Sequence, residues 1–272
     1  WLRGPWGSTR RIGEDFFEQL AAERGLTVLP PDARAGLLPG LEALRGPSFD
    51  PARVDPIIDG FYARTASFDL TIDSRWSGPF RAVGWFIGRL FARRLAQLNM
   101  PISGRELRAG IDSRIVQLAD AQGRIAHTAW VRIARQTHRP VFVGQYGTAC
   151  IPGHAGPCVK VVFPLPNGNA TILLRPRADP EGGLSLLSDG RRFGDPGFYF
   201  TVDAGEGAIW ARYVRTMKEE LRLWSRGPSI EARHRFGVFG LPFLELRYAI
   251  APRPASGPRA PTAARRRAPP AG

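Results

Sequence analysis

The stretch Val159–Arg175, VKVVFPLPNGNATILLR, decides the fold class. Two runs rich in Val, Ile and Leu flank a Pro/Asn/Gly centre, and Asn167-Gly168 tolerates the positive φ angles that a tight hairpin turn demands. The reading is an antiparallel hairpin of residues 159–163 with 170–175. Outward from it the same pattern recurs. Short apolar-alternating runs at 111–118, 125–134, 141–146, 184–188 and 198–202 are each bounded by turn-forming residues, and 231–238 and 244–250 supply two more. Residues 208–224 carry Ile209, Tyr213, Met217, Leu221 and Trp224 at helical spacing, so a short helix giving way to a strand near Glu220 is expected there.

Upstream, residues 13–24 (GEDFFEQLAAER) place Phe16, Phe17, Leu20 and Ala21 at helical spacing, with Gly25 just past the end. A Pro/Gly-crowded segment over 29–56 reads as an extended wrapping stretch, followed by a short helix from Pro51 or Asp55 to Thr65 and an alternating strand over Phe68–Ser74. Residues 79–100 give the strongest helical pattern, a basic amphipathic helix with Val83, Phe86, Leu90 and Phe91 on one stripe and Arg89, Arg93 and Gln97 largely opposite.

The expected architecture is mainly β with helices (α+β). It is an antiparallel barrel or strongly curved sheet of about ten strands, because short strands without βαβ alternation leave few other solutions. Residues 1–110 form a helical and extended N-terminal segment packing on the sheet, 111–250 the antiparallel β domain, and 251–272 a basic Pro/Arg tail too poor in apolar side chains to fold.

The chain has 272 residues and a formal charge of +14, with 36 Arg against two Lys (Lys160 and Lys218). Five of the Arg lie in the tail, so +9 remains on the body. That balance favours anionic partners, although so lopsided an Arg usage also follows from a GC-rich coding background. Two cysteines exclude a disulfide scaffold, and no run of apolar residues is long enough to span a bilayer as a helix. A start at Trp1 suggests a fragment or a processed product, so an upstream signal or membrane segment stays open. The expected location is cytoplasmic or peripheral to a membrane.

Three stretches carry candidate chemistry. Around 79–100, Trp85 and Phe86 with Arg89, Arg93 and Arg94 have the make-up of a membrane-contact helix, rings beneath the headgroups and guanidinium groups on phosphate; a core-facing helix has the same pattern. Cys150, His154 and Cys158 recur every fourth residue, enough for a thiol beside a base, while Pro152 and Pro157 prevent a helix from aligning them and no fourth zinc ligand is in view. The Gly-rich loop with Arg191, Arg192 and Asp195, leading into Phe198 and Tyr199, would present Arg to an anionic headgroup, or serve only as a hairpin connection. No metal and no cofactor is expected. The leading expectation is a non-enzymatic binding protein for an apolar or lipid-like ligand or an anionic membrane surface. An enzyme built on the Cys/His loop or the Arg192/Asp195 loop is the alternative, and nucleic-acid binding, for which no recognition motif is present, ranks third.

Overall fold

In the computed structural model the described residues are 1–7, 13, 15–77, 111–135 and 140–253. The helix expected over 79–100, with Trp85, Phe86, Arg89, Arg93 and Arg94, lies outside them, as does nearly all of the tail.

Two helices and thirteen strands are described. Helix α1 (Phe16–Arg24) and strand β1 (Thr27–Val28) precede helix α2 (Pro56–Ala63) and β2 (Phe68–Trp76). Then come β3 (Ile111–Ala119), β4 (Ile125–Ala134), β5 (Pro140–Cys150), β6 (Pro157–Leu165), β7 (Gly168–Ala178) and β8 (Leu184–Leu187). The last five are β9 (Phe198–Gly205), β10 (Ala208–Tyr213), β11 (Met217–Arg226), β12 (Ser229–Val238) and β13 (Leu241–Pro252).

The deciding hairpin is β6–β7, with Val161 opposite Ile172. Leu165 pairs with Gly168, so the turn itself is Pro166-Asn167 rather than Asn167-Gly168, and Asn167 takes the left-handed conformation at φ 57°. Gly168 serves a different need: a Cβ there would stand 2.0 Å from the Thr201 carbonyl oxygen, so its lack of a side chain lets β7 approach β9.

Every ladder between these strands is antiparallel, and the order β3-β4-β5-β6-β7-β8-β11-β12-β13-β2 runs through one sheet, with β9 and β10 attached to β7. The sheet curves until its two ends meet: Ile72 of β2 and Ile111 of β3 share one apolar cluster. No hydrogen-bonded ladder joins those ends among the described residues, which form a strongly curved sheet open at that seam.

The helix expected within 208–224 does not form. Those residues are β10 and β11, separated by a turn at Val214. Ile209, Ala211 and Tyr213 alternate onto one apolar cluster, and Leu221 and Leu223 alternate onto another, a period of two that satisfies both strands at once.

Alternation sends one set of side chains to each face. On the convex side, α1 lays Phe17 and Leu20 against Leu118, Ala129 and Val131, and Gly25 at φ 64° ends it. The concave side holds the main core. There α2, capped by the Asp55 carboxylate accepting from the Ile57 N–H, contributes Ile58, Phe61 and Tyr62. It is shorter than the expected helix, with a separate 3₁₀ turn at Pro51–Arg53 before it. The Pro/Gly-rich segment seats Leu37, Leu41 and Leu44 in the same core, and Asp59 Oδ1 fixes it by accepting from the Leu41 N–H at 2.6 Å.

Candidate functional site

The concave core is not solid. It holds a partly open cavity of about 280 Å³ whose wall is mostly aliphatic and aromatic, with Val161, Phe163, Ile172 and Leu174 on one side and Leu223 and Ile250 on the other. Phe61 and Tyr62 of α2 stand at one end, and Trp76, Phe236 and Phe243 also border it. Seven polar side chains interrupt the lining: Ser74, Arg132, Glu219, His234 and the tyrosines 62, 146 and 248.

Arg132 owes its position to strand phase. On β4 it shares a face with Trp130, which points inward and donates through Nε1 to Ser113 Oγ at 2.7 Å. Between Arg132 and Ile133 the register against β5 slips, as the partner passes from Phe142 to Pro140. Such an irregularity bends a strand and re-aims its side chains. The guanidinium carbon lies 3.5 Å from the centre of the Trp130 ring and 4.8 Å from that of Phe142. The residue is only 7% exposed, and its Nε is buried with no hydrogen-bond partner.

Glu219 and His234 form a pair on the opposite wall. Leu221 of β11 faces His234 of β12 directly, so Glu219 reaches it on the diagonal, and Nε2 and Oε1 are 2.5 Å apart. The His234 ring also packs on Phe236 at 4.1 Å between centres.

Burial pushes the hydroxyls of Tyr62, Tyr146 and Tyr248 above the ordinary tyrosine range, and the Glu219 carboxylate adds to this at Tyr146 and Tyr248. Arg132 opposes this at Tyr146 through its charge and at Tyr248 through charge and hydrogen bonding. All three stay neutral at ordinary pH, and a neutral phenol both donates and accepts. Chemically, the cavity offers an apolar volume with one buried cation, one engaged carboxylate and several hydroxyls.

The residues singled out by sequence lie mostly elsewhere. Cys158 is fully buried in a convex-side cluster with Leu2, Ile151, Leu173 and Tyr199, and burial pushes its thiol up to about 12. Cys150 is exposed, and both thiols are free. His154 has its Nε2 buried and unpartnered. Among the described residues no group of three or more His, Cys, Asp or Glu is placed to hold a metal ion.

The second loop is closed upon itself. Asp195 Oδ2 accepts from the backbone N–H of Arg191 at 2.8 Å and of Arg192 at 3.1 Å, and these bonds hold its carboxyl below the usual range. Tyr199 donates its hydroxyl proton to the Asp195 carbonyl and faces the convex cluster. Phe198, one residue earlier on the strand, faces the cavity. It is the single sequence-chosen residue that the fold brings there among those described.

Sequence reasoning did not select Arg132, Glu219 or His234. A signal for Arg132 exists: it is in phase with Trp130 along a run, AWVRIA, whose other phase is equally apolar. A charge in phase with a buried ring on a strand apolar on both faces is a charge pointing inward.

No family model and no solved structure matches this chain. It is similar to a Bacillus subtilis (strain 168) protein named uncharacterized membrane protein YndJ, 26% identical over 244 residues that cover 89% of this chain and 41% of that protein. The chain thus spans less than half the length of this relative. Among the described residues no helix is long and apolar enough to cross a membrane.

Proposed function

We propose that this chain is a binding protein that takes an apolar, lipid-like ligand into the concave interior of its sheet and works at a membrane. The observation that carries the reading is the apolar cavity of about 280 Å³. A core that only stabilises a fold closes to crystal-like density, and voids larger than a water are few. An apolar cavity of about 150 Å³ takes up benzene, so this one has room for an apolar chain of roughly a dozen heavy atoms.

The membrane part rests on three supports of different kinds: the name of the *Bacillus* relative, exposed rings, and charge. Trp210 is 76% exposed and Phe239 78%, each near a strand end, the type of side chain that anchors at a lipid interface. Seven Arg against one acidic residue between Arg75 and Arg108 add attraction for anionic headgroups.

The test is uptake of decan-1-ol, followed by native mass spectrometry and by Trp fluorescence. Wild-type protein should bind about one molecule per chain. Ala232→Phe, which fills the cavity from β12, should abolish uptake at a cost of about 1–3 kcal/mol in stability. Equal uptake by the filled variant, or none by wild type, overturns the reading.

A further inference from the structure

We infer that the ligand of this cavity carries one anionic head, a carboxylate or phosphate monoester, which binds Arg132 while its apolar tail lies along the opposite walls. This rests on the cavity being a ligand site and adds the chemical class of what enters it.

Arg132 is a buried cation that no ion pair among the described residues neutralises. No carboxylate among the described residues is ion-paired with it, and its Nε has no hydrogen-bond partner although the residue is 93% withdrawn from solvent, being 7% exposed. Arginine keeps its positive charge inside proteins, so it cannot escape the penalty by losing a proton. An unpaired buried charge is costly, and aromatic faces recover only part of that cost. Trp130 and Phe142 supply those faces, Tyr248 accepts a hydrogen bond from the guanidinium, and the Nε–H is left for a further acceptor.

The other ionisable groups around the cavity do not fill the role. The Glu219 carboxylate is held by His234. Tyr62, Tyr146 and Tyr248 are neutral phenols, and that of Tyr248, within hydrogen-bonding reach of Arg132, is placed to donate to the same head. A ring stacked on the cation, an unpaired Nε–H, a phenol beside it and an apolar chamber beyond together describe a site for an amphiphile with a negative end.

The experiment compares four probes of equal tail length on the full chain: decanoate, decyl phosphate, decan-1-ol and decyltrimethylammonium, titrated by calorimetry with the Trp signal in parallel. Decanoate or decyl phosphate should bind at least tenfold more tightly than decan-1-ol, the better of the two identifying the head, and the cationic probe should bind worst. Arg132→Met should remove the advantage of the anions over decan-1-ol, and Arg132→Lys should retain part of it. The wild-type comparison stands even if a variant fails to fold. Decan-1-ol binding as well as both anions overturns the inference and leaves the cavity reading intact. If no probe binds wild type, both fall.

Discussion

The guanidinium carbon of Arg132 lies 3.5 Å from the centre of the Trp130 ring, two residues earlier on the same strand, and the indole N–H of that ring is itself tied to Ser113. Ring and cation are therefore fixed as one unit. Trp130→Leu is expected to lower unfolding stability by about 3 kcal/mol, combining lost ring volume with a cation left on a poorer surface. Urea denaturation checks it, and a loss below about 1 kcal/mol would show that the stacking contributes little.

The Glu219–His234 pair makes a different prediction, since each partner removed alone leaves the other buried. Glu219→Ala and His234→Ala should each cost about 1–3 kcal/mol, and the double change should cost less than their sum by at least 0.5 kcal/mol or so. Strict additivity in this cycle would mean that the two residues do not interact.

Asp179 is 5% exposed and serves several partners: Ser185 Oγ donates to it, Arg222 Nε lies 2.9 Å from it and Arg177 Nε 3.5 Å. It fastens β11 to the β7–β8 turn. Asp179→Ala should lower the melting temperature strongly, with a loss of about 3 kcal/mol, whereas Asp179→Asn should cost clearly less. Similar losses for both would point to charge rather than hydrogen bonding as the main contribution.

Thiol chemistry separates the two cysteines. In native protein at pH 8, an aromatic disulfide reagent should modify Cys150 quickly and Cys158 only after denaturation, because Cys158 is buried and its thiol pushed up to about 12. Two fast thiols per native chain would contradict the burial of Cys158.

Alkaline pH should change stability in two opposed steps. Burial lowers Lys160 from its ordinary value to about 8, so between about 8 and 10 the unfolded chain binds more protons than the folded one and stability rises with pH. The buried tyrosines act in reverse: their folded values are raised, so above about 10 the unfolded chain loses protons first and stability falls. Melting temperatures measured from pH 7 to 11 should pass through a maximum, and Lys160→Met should flatten the rising limb, to which Lys218, also lowered by burial, adds. A monotonic fall from pH 8 in wild type would refute the assignment.

Much of the sheet was legible because a strand writes its period in a few residues. The β6–β7 hairpin, the alternation of β4 and the strand β2 all follow from local pattern. The error over 208–224 has a simple origin. Ile209, Tyr213, Met217 and Leu221 are each four apart, and residues four apart share a face in a helix and in a strand alike. Only the intervening residues separate the two, and Ala211 and Leu223 side with the strand.

The cavity groups were far harder to find. His234 had no visible partner in sequence because Glu219 reaches it only through the register of β11 on β12. Tyr146 and Tyr248 lie 102 positions apart and meet only when the sheet curls round. Sequence also favoured the loop of Asp195, whose hydrogen-bonding capacity is spent on its own backbone.

The meeting of β2 and β3 at Ile72 and Ile111 makes the sheet a clasp instead of a hoop. Parting a hoop breaks a row of backbone hydrogen bonds, whereas parting these two edges, among the described residues, breaks no ladder and separates side chains. The circumference can therefore lengthen or shorten by small changes of bend spread over ten strands, with every existing ladder kept. In a chamber walled in this way, the seam is where a change of girth costs least.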